Sequence, residues 1–204
     1  MNIAVLGSGN IGGTMGRIWA EAGHAVRFGV RDPEAKGAAL GERFSEFDVT
    51  FQPVGEAVGE GEVVLLAVPP SAVSGIAAEH GAILDDRIIL DATNDFSAED
   101  MSGYLTLKNH ASRAKVFRVF NSLGWENFAN PEFDGIRADH FYCGPEDKSA
   151  LTIVEGLITD VGLRPIRIGT LEKRHLLDNM TRLWATLAME QDRGRHLAFK
   201  ILSD

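Results

Sequence analysis

The sequence predicts an α/β fold, a doubly wound parallel sheet with a small C-terminal helical extension, and three observations predict it. An apolar run from Ile3 to Leu6 leads directly into the glycine turn Gly7-Ser8-Gly9-Asn10-Ile11-Gly12 and then into an amphipathic helical pattern. Short apolar runs recur along the chain between segments of helical length, and they are continuous rather than alternating, as strands covered on both faces require. The chain has 204 residues, 45% of them hydrophobic and 24% charged, which suits one globular domain with an appendage. Together these features describe a Rossmann-type sheet.

The first strand spans 3–6. Its glycines each have a physical reason in a dinucleotide turn: Gly7 for the tight bend, Gly9 so that a pyrophosphate reaches the backbone, Gly12 so that the helix lies close on the sheet. The helix that follows, 10–23, carries Ile11, Met15, Ile18, Trp19 and Ala22 on one face and closes at Gly23. Its free N–H groups and positive dipole end suit a diphosphate.

Further strands are expected at 25–30, 49–51, 63–68, 87–92, 115–120, 139–144 and 164–169, with helices at 34–44, 54–59, 71–80 and 147–161. A last helical stretch runs from Leu171 to about Leu202 and breaks near Gly194. It carries Leu176, Leu177, Met180, Leu183, Trp184, Leu187 and Ala188. That stripe either covers the sheet or packs against a second subunit, and spacing alone supports both. Residues 1–170 read as the dinucleotide-binding domain and 171–204 as a helical segment.

Composition narrows the partners. With 20 basic against 29 acidic side chains the net charge is −9, which argues against nucleic acid. No apolar run of about 18 residues exists to span a membrane, and the N-terminus lacks a secretory leader pattern, so a cytoplasmic location is expected. Cys143 is the single cysteine, which leaves neither an internal disulfide nor a cysteine-built metal site; no metal is expected. In a short apolar strand Cys143 reads as buried and inert.

The second strand selects between the two nicotinamide cofactors. It ends in Val30-Arg31, with no acid at the tip to hold a ribose 2′-hydroxyl; Arg31 instead offers a planar fork to a 2′-phosphate. Asp32 before Pro33 reads as a helix cap. Lys36 adds a second charge, although exposed turn or surface roles account for Arg31 and Lys36 as well. NADP(H) is therefore the expected cofactor. Two more loops follow the fourth and fifth strands: Val68-Pro69 is fixed by proline for packing over the adenosine side, and Asn94 offers amide groups nearer the nicotinamide, or is an ordinary turn residue.

Reduction of a carbonyl or imine needs a proton donor beside the hydride path. His110, His140, Tyr142, Lys173 and His175 are the candidates, and none falls in a catalytic spacing; His140 and Tyr142, inside an apolar strand, read as structural. No catalytic residue is assigned. Hydride passing between two stacked redox rings needs mainly proximity and alignment, which points to reduction of one cofactor by another.

LGSGNIG at Leu6 to Gly12, the arginine after the second strand, and VFNSLGWENFANPEFDG at Val119 to Gly135 resemble the NADPH:coenzyme F420 oxidoreductase family. So do FYCGPED at Phe141 to Asp147, GLRPIRIGTLE at Gly162 to Glu172 and HLAFKIL at His196 to Leu202. The resemblance implies hydride transfer between NADP and a deazaflavin. It implies that Ser8, Gly9, Asn10 and Ile11 cradle the pyrophosphate, Arg31 the 2′-phosphate, and Val68 and Pro69 the adenosine side. It places Asn121 and the loop of Ser122, Leu123, Gly124 and Trp125 at the nicotinamide and the second ring, and implies a homodimer through the C-terminal helices. Two positions depart from the family: Val30 stands where serine often precedes the arginine, and Gly124-Trp125 replaces a proline-alanine type of loop. FMN or FAD, with onward transfer to ferric iron, is the alternative acceptor, and a nucleotide-binding sensor without turnover is the alternative class.

Overall fold

Six parallel strands form the central sheet in the order β3-β2-β1-β4-β5-β6. They are β1 (Asn2–Leu6), β2 (Ala25–Gly29), β3 (Val49–Gln52), β4 (Val63–Leu66), β5 (Ile88–Asp91) and β6 (Lys115–Arg118). The computed structural model describes residues 1–203. Side chains from Ile3 to Leu6 and from Val63 to Leu66 are all fully buried, as expected of central strands covered on both sides.

The helices between the strands cover both faces. They are α1 (Asn10–Glu21), α2 (Pro33–Leu40), α3 (Val54–Glu60), α4 (Pro70–Leu84) and α5 (Tyr104–His110). On α1, Met15, Trp19 and Ala20 turn inward, and the Trp19 indole N–H donates to the Leu157 carbonyl at 3.1 Å. Leu157 lies on α7 (Lys148–Asp160), so one buried hydrogen bond ties the first helix to a late one. The larger core, on this face, gathers Trp19, Phe28, Phe117, Phe120 and Trp184; a smaller one on the other face holds Leu6, Leu66, Leu84 and Leu107.

Beyond the sheet come α6 (Trp125–Ala129), the hairpin β7 (Glu132–Phe133) and β8 (Ile136–Arg137), β9 (Asp139–Tyr142), β10 (Arg164–Arg167) and α8 (Arg174–Ala185). Two expectations need correction here. The apolar runs at 139–144 and 164–169 do form strands, but β9 and β10 pair with each other in a separate parallel sheet. They touch the main sheet through a single antiparallel bridge between Arg118 and Cys143. An apolar run reports burial, and does not say which neighbour its backbone will bond.

The terminal helix is also shorter than the pattern suggested. It ends at Ala185, adds one π-helical turn to Glu190, and then the chain reverses through Asp192 and Gly194, whose φ values are 52° and 81°. The tail lies extended, with Phe199 bridged to Asp139 and the Ile201 N–H donating to the Asp139 carboxylate at 2.7 Å. The stripe on α8 divides: Leu177, Trp184 and Ala188 are buried in the body, whereas Leu176 and Leu183 remain 44% and 50% exposed.

Candidate functional site

Because the six strands run parallel, the loops after β1, β2, β4, β5 and β6 all leave one edge of the sheet, and the strand order reverses between β1 and β4. That crevice is where open α/β sheets bind ligands. It brings Gly7, Ser8, Gly9, Asn10, Ile11, Gly12, Arg31, Val68, Pro69, Asn94 and Asn121 to a common edge.

The three glycines of the first turn separate by cause. Gly7 has φ of 97°, and a Cβ there would lie 2.4 Å from the Ala67 carbonyl oxygen, so the turn and the β4 loop both exclude a side chain. A Cβ on Gly12 would sit 2.0 Å from the Gly7 carbonyl oxygen, where α1 crosses its own turn. Gly9 differs from both. Its backbone is extended with φ of −76°, and a Cβ would meet nothing within 4 Å. Neither conformation nor packing requires glycine at that position.

Gly9 is also the N-cap of α1, and no side chain caps that helix. The contrast with α2 and α7 is informative, since Asp32 accepts from the Ala35 N–H at 3.0 Å and Asp147 from the Ala150 N–H at 2.9 Å. The sequence reading of Asp32 as a cap thus agrees with the structure. The N–H groups of the first turn of α1 are left for water or a ligand. Arg31 and Lys36 are exposed, and neither has an ion-pair partner among the described residues.

The β5 and β6 loops are held by a feature the sequence reading missed. Arg118, at the end of β6, is fully buried and uses all five guanidinium N–H groups. Nε and Nη2 donate to Asp178 Oδ1 on α8 at 3.1 and 2.7 Å; Nη1 donates to the Asp91 carbonyl at 3.3 Å and to the Thr93 carbonyl; Nη2 also donates to Asn94 Oδ1 at 2.8 Å. Asp91 adds an ion pair at 3.6 Å and accepts from Gly103 N–H at 2.8 Å, and Asp178 accepts from Met101 N–H at 3.1 Å. The signal available was a lone arginine inside KVFRVF, a charge that a buried strand tolerates only when paired.

Asn94 donates from Nδ2 to the Asn121 carbonyl at 2.8 Å, so its amide links two loops rather than standing free. A cavity of about 130 Å³ lies between the β4 and β5 loops, lined by Val73, Thr93, Asp95, Ser102 and Gly103. A larger one of about 620 Å³ lies apart from the glycine turn, along α5 and the edge strand β6 near Tyr104, Lys108 and Arg174.

The loop after β6 begins at Phe120, whose φ is 60°. Its N–H donates to Nε2 of His140 at 2.8 Å, and the two rings stack with centroids 4.9 Å apart. Burial pushes His140 down to about 3, which keeps it neutral. Asn121, Ser122, Leu123 and Gly124 are buried, and Trp125 is half-buried. A Cβ on Gly124 would come within 2.7 Å of the Trp184 ring, so α8 forms the floor of this loop. The Trp184 N–H donates to the Leu197 carbonyl at 2.7 Å, and Arg195 lies 5.2 Å over its ring.

Two further proton-donor candidates are bonded to other groups. The Tyr142 hydroxyl donates to Glu155 on α7, and burial together with that contact raises it above its ordinary range. His175 bonds the Glu172 carbonyl on the surface. Burial pushes the Cys143 thiol up to about 11, consistent with an inert buried side chain.

Residues 2–95 match the family model described as NADP oxidoreductase, coenzyme F420-dependent. The match covers the glycine turn, Arg31, the β4 loop and Asn94. Curated relatives include glycerol-3-phosphate dehydrogenase [NAD(P)+] of Azotobacter vinelandii, 29% identical over 107 residues, 48% of this chain and 32% of that protein. The corresponding Pseudomonas fluorescens protein, from strain SBW25, is 30% identical over 48% of this chain and 31% of its own length. The match thus spans about a third of these relatives.

Among solved structures, a protein of Arthrobacter sp. FB24 described as an F420-dependent NADP reductase superposes with a TM-score of 0.86 at 24% identity, covering 100% of both chains. An imine reductase of Streptomyces aurantiacus gives 0.69 at 18% identity over 94% of this chain and 65% of its own. These likenesses bear on the fold. Among the described residues no helix is long and apolar enough to cross a membrane.

Proposed function

We propose that this chain is an NADP(H)-dependent oxidoreductase that passes hydride between the nicotinamide and a second ring system, a deazaflavin of the coenzyme F420 type. The observation that carries the nucleotide half is Gly9, a glycine that neither backbone nor packing calls for, at the uncapped start of α1. Its residue type is explained by a diphosphate lying against the backbone. Ser8, Asn10 and Ile11 complete that cradle, Arg31 and Lys36 receive the 2′-phosphate, and Val68 and Pro69 cover the adenosine side.

The bound nicotinamide supplies the hydride; the chain binds and aligns. Asn94, Asn121, Leu123 and Gly124 border the reacting rings, and Trp184 beneath Gly124 keeps that wall rigid. His140 and Tyr142 are committed to Phe120 and Glu155, which supports a reaction that rests on alignment rather than on a protein acid. Residues 171–203 form the acceptor wall, and the exposed Leu176 and Leu183 make the contact of a homodimer. Stopped-flow oxidation of NADPH tests this reading against coenzyme F420, FMN, FAD and ferric chelates. Rapid turnover with the deazaflavin is expected; turnover with the flavins alone moves the assignment to a flavin reductase, and tight NADPH binding with no turnover to a sensor.

A further inference from the structure

A directional chain of hydrogen bonds runs from Arg118 through the site. An arginine can only donate, so the Asn94 atom facing it is Oδ1, at 2.8 Å, and the Asn94 amide nitrogen must point to the Asn121 carbonyl, at 2.8 Å. At the other end the Thr181 hydroxyl donates to the Leu177 carbonyl at 2.9 Å, so it accepts from Asn121 Nδ2 at 3.0 Å. Arg118 thereby fixes the Asn94 amide, and the Thr181 bond to Leu177 favours the Asn121 amide nitrogen facing Thr181, whose hydroxyl also lies 3.3 Å from the Asn121 carbonyl.

Two valences remain unused. The second N–H of Asn94 has no partner among the described residues, and Asn121 Oδ1 is buried with none, in a residue 2% exposed. Asn94 is flanked by Thr93 and Asp95, which line the cavity between the β4 and β5 loops. An open donor on one amide and an open acceptor on the other match in type a primary carboxamide, which offers both an oxygen and an N–H.

We propose that Arg118 is a positioning residue that, through Asn94 and Asn121, presents a donor and an acceptor to the carboxamide of the nicotinamide ring. This rests on the nucleotide reading above and adds to it a means of fixing the ring's orientation. An unpaired buried acceptor is costly, so a ligand N–H that satisfies Asn121 Oδ1 is favoured and one that cannot is rejected.

The test is calorimetry with three ligands: NADP⁺, its 3-acetylpyridine analogue, in which a methyl replaces the amide nitrogen, and 2′-phospho-ADP-ribose, which lacks the ring. Wild type should bind the acetylpyridine analogue about tenfold more weakly than NADP⁺, the worth of one such hydrogen bond. Arg118→Lys, and the near-isosteric Thr181→Val, should lower NADP⁺ affinity about tenfold, leave 2′-phospho-ADP-ribose within about twofold, and abolish discrimination against the analogue. If Arg118→Lys does not fold, Thr181→Val decides alone. Equal weakening of NADP⁺ and the ring-free fragment overturns the proposal, as does wild type that treats carboxamide and acetyl alike, or a loss confined to deazaflavin binding. Wild type that binds none of the three overturns the nucleotide reading itself, whereas retained binding of the ring-free fragment isolates failure to the carboxamide contact.

Discussion

The N–H of Phe120 donates to Nε2 of His140 across 2.8 Å while Phe120 holds a φ of 60°, a conformation that bulky side chains rarely adopt. A neutral histidine buried under the loop after β6 thus secures a strained backbone immediately before Asn121.

That contact has a pH signature. His140 is pushed down to about 3 from an ordinary 6.5, so between those values the unfolded chain binds the extra proton. Stability present above pH 6.5 is therefore lost as pH falls toward 3, at up to about 1.4 kcal/mol per pH unit. His140→Gln offers Phe120 an acceptor that does not titrate. Urea midpoints between about pH 7 and 4.5 should fall less steeply in this variant than in wild type. Parallel slopes would show that His140 does not govern acid sensitivity.

Gly9 and Gly12 should respond oppositely to one added methyl. Gly12→Ala drives a Cβ into the Gly7 carbonyl and should cost about 1–3 kcal/mol in denaturant unfolding. Gly9→Ala meets open space and should unfold as wild type does, within about 0.5 kcal/mol, yet bind NADPH at least about tenfold more weakly. Full NADPH affinity in Gly9→Ala would remove the diphosphate from this turn.

Arg31→Ala tests cofactor choice. A charge-assisted hydrogen bond contributes roughly 1.5–3 kcal/mol, so NADPH should weaken by about one to two decades while NADH changes little. Calorimetry showing equal weakening of both nucleotides would remove Arg31 from the 2′-phosphate.

Leu176 and Leu183 lie two turns apart on the outer side of α8, with Met189 also exposed beyond them. Sedimentation of wild type should show a dimer, and Leu183→Asp a monomer of unchanged fold. A wild type that sediments as a monomer across the micromolar range ends the homodimer proposal.

Much of this molecule is legible in local sequence because its causes are local. Strand β1, the turn at Gly7, the inward face of α1 and the Asp32 cap follow from periodicity, φ restriction and capping, each acting within a few residues. The Asp134-Gly135 hairpin, with φ values of 48° and 80°, carries the same kind of local signal in its Asp-Gly pair. What only the tertiary structure decided are relationships across long separations: β9 with β10, the tail across Asp139, and Arg118 with Asp178, 60 residues apart. A sequence displays the charge of Arg118 but not the partners that make its burial tolerable, because those converge only after β5, β6 and α8 have packed.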